Sequence, residues 1–179
     1  EYASQTKFIY QFKRNVTTLM GRQGQSGRDD GPYAECKLQC PWFALADKDG
    51  ALFFIDEGRG QNKNGALRRA QEGWVETLVQ NSSGPFQSPT CLAFNPKQDT
   101  LYISNMSYGS DIKTSFNILY VTREGGFMDV KGLCKFEKAE TQGLAVHPQT
   151  GEISFVINLV DIFIALMVPI MRIMNHYSK

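Results

Sequence analysis

The sequence predicts an all-β fold in which short antiparallel hairpins repeat along the chain. The clearest hairpin spans residues 41–56, where an apolar run, a polar turn at Asp47–Gly50 and a second apolar run follow one another. The pattern returns at residues 89–105 and 142–155, about every 48 to 52 residues. A period of this length is typical of the four-stranded blades of a β-propeller.

Each complete repeat contains sequence for four strands joined by turns, which is one antiparallel blade. A polar insertion at residues 106–115 interrupts the second repeat, and the third repeat supplies only its first hairpin. Before the first repeat, Lys7–Phe12 and Val16–Met20 are similar to the last two strands of a blade. Strands are predicted within 43–56 and at 66–69, 74–79, 92–94, 100–104, 117–122 and 127–134. Residues 1–155 are therefore predicted to form an incomplete β-propeller of half a blade, two blades and half a blade.

Residues 156–179 leave this pattern and form an apolar tail of roughly transmembrane length. Three readings of the tail stay open. Asp161 and Pro169 disfavour a membrane anchor without excluding it, and a buried helix is the second reading. The third is a shifted reading frame, since permitted codons allow another frame to continue the blade pattern.

Composition restricts the partners and the chemistry. The 179 residues carry a net charge of +1, so there is no electrostatic case for nucleic acid. Cys36 and Cys40 are close enough in sequence to pair, but nothing requires a disulfide. His147 and His176 are the only histidines, which disfavours a three-ligand zinc site, and His147 is predicted to lie in a turn. We expect no cofactor and no bound metal.

The repeated unit is Pro-x-x-(apolar)-Ala-x-Asp-x-(Asp)-Gly-x-Leu-(aromatic)-(aromatic)-Ile-Asp, preceded by Gly27–Pro32. It resembles the NHL-repeat β-propellers of Bacteroidetes surface proteins, in which an IPT/TIG module precedes the propeller. Here that module is absent and the ring is incomplete. The resemblance implies a non-catalytic binding module of a glycan- or nutrient-utilisation lipoprotein, at the cell surface or in the periplasm of a Gram-negative bacterium.

The same resemblance implies an oligo- or polysaccharide partner, or a protein. Membrane contact is expected only through a lost N-terminal lipid anchor or the C-terminal tail. The alternatives are a protein-interaction scaffold and a metal-dependent hydrolase similar to the gluconolactonases, which hold a metal with Glu, Asn and Asp from strand ends.

Four residues are predicted to bind the ligand. Asp56 and Asn105 fall at equivalent strand ends, where the loops of a propeller gather at one face. Tyr108 and Phe116 lie in or beside the insertion, so their rings are available for stacking on sugars, whereas the aromatic residues within strands are expected in the core.

An open arc of blades leaves blade faces uncovered. The sequence therefore predicts marginal stability, or association in which the apolar tail covers an exposed face.

Overall fold

Three antiparallel sheets make up the fold, and no helix occurs in the part of the chain that the structure describes. A computed structural model describes residues 17–56, 65–80, 86, 88–106, 117–135 and 139–159. Over those ranges no helix is long and apolar enough to span a bilayer. The strands are β1 (Gly31–Pro32), β2 (Pro41–Ala46), β3 (Leu52–Asp56), β4 (Ala66–Gln71), β5 (Trp74–Gln80), β6 (Ser88–Phe94), β7 (Thr100–Met106), β8 (Ile118–Thr122), β9 (Lys131–Cys134), β10 (Ala139–Val146) and β11 (Ile153–Leu159).

Each sheet follows the order of the sequence repeats. Blade A has the order β1-β5-β4-β3-β2, blade B the order β6-β7-β8-β9, and hairpin C pairs β10 with β11. The all-β prediction of an incomplete propeller is thereby confirmed. In blade A the turn between β2 and β3 places Gly50 at φ +83°, a conformation that favours glycine and explains the Asp-Gly signal.

Blades A and B pack face to face over the main hydrophobic core. Strand alternation turns Phe43 and Leu45 of β2 toward this core, while Ala44 between them is exposed. Phe53 of blade A lies 5.4 Å from Phe94 and 4.9 Å from Phe127 between ring centroids, both in edge-to-face geometry. Each such ring contributes roughly 1.5 to 3 kcal/mol by leaving water, so this layer holds the two blades together.

The strand predicted over 127–134 is shorter than expected. Phe127 lies in a turn with φ +61°, donates its backbone N–H to the Thr122 carbonyl at 2.8 Å, and β9 begins only at Lys131. Phe127 was predicted to begin a strand because apolar residues are typical of buried strands. Instead it is buried from a turn, where its side chain packs in the core between the blades.

The ends of the described chain also differ from the pattern. Thr17–Met20 form no strand, although Val16–Met20 was predicted as one, and Gly31–Pro32, which lie outside the predicted strands, pair with β5. Strand β11 continues to Leu159, so residues 156–159 of the predicted tail extend hairpin C. Lys7–Phe12, Val16 and residues 160–179 lie outside the described residues, and the three readings of the tail remain predictions there.

An arginine side chain joins the turns of the two blades. Arg123, directly after β8, donates to Asp47 Oδ2 at 3.0 Å and to Asp49 Oδ2 at 3.1 Å, both in the β2–β3 turn. Its Nε donates to the Gln98 carbonyl in the β6–β7 turn at 3.1 Å, and its guanidinium lies 5.2 Å from the Phe127 ring centroid. Both carboxylates of this turn are therefore paired with an arginine.

We predict that Arg123→Met lowers the free energy of unfolding by about 1 to 2 kcal/mol, because the buried Asp47 carboxylate loses its charged partner. Urea denaturation measures the change. The matched control is Lys131→Met, whose 3.5 Å pair with Asp129 is exposed and should contribute less than about 0.5 kcal/mol. Equal midpoints for the two variants would contradict an interblade role for Arg123.

Candidate functional site

The candidate site lies at the end of the blades where β3 and β7 finish. Asp56 pairs with Pro41 across blade A, and Asn105 pairs with Pro89 across blade B, so the two residues occupy equivalent positions. Each stands at the end of a strand, and the next strand of its blade begins only after a connecting segment. In hairpin C the same register position belongs to Ile157, opposite Thr141. The repeat therefore places polar side chains at this position only in blades A and B.

Asp56 is fully buried and hydrogen-bonded on both oxygens. Its Oδ1 accepts the backbone N–H of Gln39 at 3.0 Å and that of Cys40 at 2.7 Å. Its Oδ2 accepts from Arg68 Nη1 at 2.9 Å. The carboxylate thus fixes the backbone just before β2, which is why a polar residue ends β3 at this position.

Arg68 in the middle of β4 is the charge that the sequence analysis missed. Its side chain is completely buried and donates to Asp56, to the Lys37 carbonyl at 2.8 Å and to Asp30 Oδ1 at 3.0 Å. Asp30 in turn accepts the backbone N–H and the hydroxyl of Thr77, both at 2.8 Å. This ion network joins the Gly-rich segment before β2, here called the lead-in (residues 21–40), to β3, β4 and β5. The available signal was a pair of adjacent arginines, Arg68 and Arg69, inside a predicted strand.

Asn105 performs the equivalent task in blade B without a charge. It is fully buried, and its Oδ1 accepts the backbone N–H of Ser88 at 3.0 Å. The Thr141 hydroxyl of hairpin C lies 3.2 Å from the Asn105 carbonyl and 3.1 Å from the Asn117 carbonyl. The end of β7 is therefore tied both to the start of β6 and to the neighbouring hairpin.

These contacts define what the described part of the site can do. Asp56 and Asn105 hold the ends of the strands, and both side chains lie inside the protein. Over the described ranges, no three His, Cys, Asp or Glu side chains are grouped to hold a metal ion. Tyr108 and Phe116, the two aromatic residues predicted to contact a ligand, lie outside the described residues.

His147 lies in the turn of hairpin C, as its sequence context indicated. Its Nδ1 accepts the backbone N–H groups of Gln149 at 3.3 Å and Thr150 at 3.1 Å. Asn95 caps the corresponding turn of blade B in the same way, accepting from Thr100 at 3.1 Å. His147 is therefore a turn residue, and His176 lies outside the described residues.

All four thiols are free. Burial raises the pKa of Cys134 from 9.0 to about 11, against the lowering effect of a hydrogen bond with the Ile118 backbone. Burial likewise raises the pKa of Cys91, whose Sγ donates to the Leu144 carbonyl at 3.7 Å. Neither thiol has the lowered pKa of a catalytic nucleophile.

Several bacterial proteins of known structure have the same fold. No protein-family model matches the sequence, and no curated protein matches it. An auxiliary nutrient binding protein from Bacteroides thetaiotaomicron is 21% identical with a TM-score of 0.62, over 78% of this chain and 32% of its own. One from Bacteroides ovatus is 20% identical with a TM-score of 0.60, over the same shares. A gluconolactonase from Xanthomonas campestris is 20% identical with a TM-score of 0.53, over 70% of this chain and 43% of its own.

Because the identities are only 20 to 21%, this similarity shows the fold alone. The chain spans about a third of the length of the Bacteroides proteins that it matches.

We predict that Asp56→Asn and Arg68→Leu each lower the free energy of unfolding by about 3 kcal/mol, because each leaves a buried charge without its partner. Blade B carries Asn105 and Leu119 at the corresponding register positions. The double variant should therefore lose clearly less stability than the sum of the two single changes. Urea denaturation of all four proteins completes the cycle, and additive losses would contradict a coupled pair.

We also predict that iodoacetamide labels folded Cys134 at pH 8 about 100-fold more slowly than a thiol of pKa 9, because less thiolate is present. Peptide mass spectrometry follows the labelling, with circular dichroism to verify folding at each pH. The rate should reach half its maximum near pH 11, whereas in urea the midpoint should lie near pH 9. A midpoint near pH 9 in the folded protein would contradict the raised pKa.

Proposed function

We propose that this chain is part of a nutrient-binding protein and that its ligand is an oligo- or polysaccharide. The protein belongs to the NHL type of propeller and acts without catalysis at the cell surface or in the periplasm of a Gram-negative bacterium. A lipid anchor outside this chain would attach it to the membrane. The described function of the two Bacteroides proteins with the same fold supports nutrient binding.

The observation that carries the proposed site is the shared position of two strand ends. Asp56 and Asn105 occupy equivalent register positions, so the segments that follow β3 and β7 leave from the same end of neighbouring blades. The second segment leads through Tyr108 to Phe116. Aromatic rings on a loop that leaves a rigid strand end are suited to stacking on the apolar faces of sugars.

In this site Asp56 and Asn105 are positioning residues, while Tyr108 and Phe116 contact the ligand. The buried carboxylate and amide hold β3 and β7 against the starts of β2 and β6. A rigid origin lowers the entropy that the segment following each strand loses on binding, so these two residues raise affinity without touching the sugar.

The second candidate is a metal-dependent lactone hydrolase, which the fold of the Xanthomonas protein supports. In that case a divalent cation would be required for function. The third is a protein-binding scaffold, for which a propeller face is suited. The three candidates differ in their dependence on metal and in the class of the partner.

Isothermal titration against a panel of soluble oligosaccharides tests the proposal. We expect binding that persists in EDTA and that weakens about 3- to 10-fold in Tyr108→Ala and in Phe116→Ala, because each loses one stacking ring. Trp74→Ala is the control, since Trp74 is 53% exposed on β5 outside the insertion. Absence of sugar binding, or an equal loss in Trp74→Ala, would contradict the proposed site, and lactone hydrolysis abolished by EDTA would favour the enzyme.

A further inference from the structure

Each blade packs on the next with the same pair of faces. Face 1 of a blade is the face that carries Leu92 and Ile103 in blade B, and it packs against blade A. Face 2 is the opposite face, which carries Phe53 and Ile55 in blade A and packs against blade B. Face 2 of one blade therefore always meets face 1 of the next.

The same arrangement joins blade B to hairpin C. Leu144 and Phe155 of hairpin C occupy the register positions of Leu92 and Ile103, and they pack with Ile118 on face 2 of blade B. Strand β10 lies against β6 and β7. The described chain thus uses one kind of interface twice.

Face 1 of blade A is open next to β2. By register, Ala44 and Phe54 correspond to Leu92 and Ile103. The outer strands of this face are covered by Tyr33 and other residues of the lead-in, but Trp42 on β2 is 70% exposed. A groove of about 220 Å³ remains here, and every residue that lines it, including Met20, is apolar.

Face 2 of hairpin C is open as well. Val156 is 45% exposed, although its neighbour Phe155 is buried on the opposite face. Ala145 and Ser154 on the same face are also exposed. Within the described ranges, one face 1 and one face 2 are therefore left open, the two halves of the interface that is already built twice.

We propose that two copies of this chain associate head to tail, with face 2 of hairpin C in one copy packed into the Trp42 groove of the other. The occupant is a second copy because face 2 of hairpin C has the same register position as the face that blade A packs on blade B. Small side chains at 143, 145 and 154 leave room for the indole of Trp42. Such an interface is heterologous, because it joins two different surfaces of identical chains, so further wild-type copies can add until a ring closes.

Sedimentation velocity over a range of concentrations tests the proposal with Trp42→Asp and Val156→Asp. Each change places a charge in one half of the interface, so each should raise the dissociation constant (Kd) of self-association at least tenfold. Met128→Asp is the matched control, since Met128 is 60% exposed in the β8–β9 turn, away from both faces. Circular dichroism shows whether each variant retains its β-sheet spectrum.

Mixing the two variants gives the decisive result. Trp42→Asp keeps face 2 intact and Val156→Asp keeps face 1 intact, so an equimolar mixture should form a 1:1 heterodimer at concentrations where each variant alone is monomeric. A monomeric wild type at all concentrations would overturn the proposal and indicate that the chain covers its own faces. Self-association that survives Val156→Asp but not Trp42→Asp would overturn the head-to-tail geometry in favour of a symmetric contact.

Discussion

A blade in this chain is apolar on both faces, and this constraint governs the rest of the structure. Phe53 on face 2 of blade A is buried only because Phe94 and Phe127 of blade B cover it. Ile118 on the other side of blade B is buried only because Phe155 of hairpin C lies against it. Each sheet therefore depends on its neighbours for most of its hydrophobic stabilisation, as in other repeat architectures.

Polar residues hold the two ends of the blades in register around this apolar layer. At one end, Arg123 joins the turns of blades A and B through Asp47 and the Gln98 carbonyl. At the other end, Asp56 and Asn105 fasten the ends of β3 and β7 to the backbone at the starts of β2 and β6. The first arrangement orients the blades relative to one another, and the second supports the segments proposed to bind the ligand.

At the same register position, blade A has a charged carboxylate and blade B has a neutral amide, and both side chains accept hydrogen bonds from the backbone. Asp56 needs Arg68 as its partner because a buried carboxylate must be compensated, whereas the Asn105 amide is neutral and Leu119 stands where Arg68 would be. Arg68 could not be assigned from the sequence, since it stands beside Arg69 and the strand pattern is compatible with either arginine facing the solvent. Its four acceptors come from residues 29, 30, 37 and 56, which are distant along the chain.

The sequence by itself determined the fold class, the hairpin turns and the equivalence of Asp56 with Asn105. These features are local, because strand alternation and Asp-Gly turns depend on neighbouring residues, and the repeat then copies them along the chain. Only the tertiary structure decided that Phe127 belongs to a turn, that Asp47 pairs with Arg123 and that Trp42 borders an open groove. Each of these depends on which face of a sheet another blade covers, and that is a contact between residues far apart in sequence.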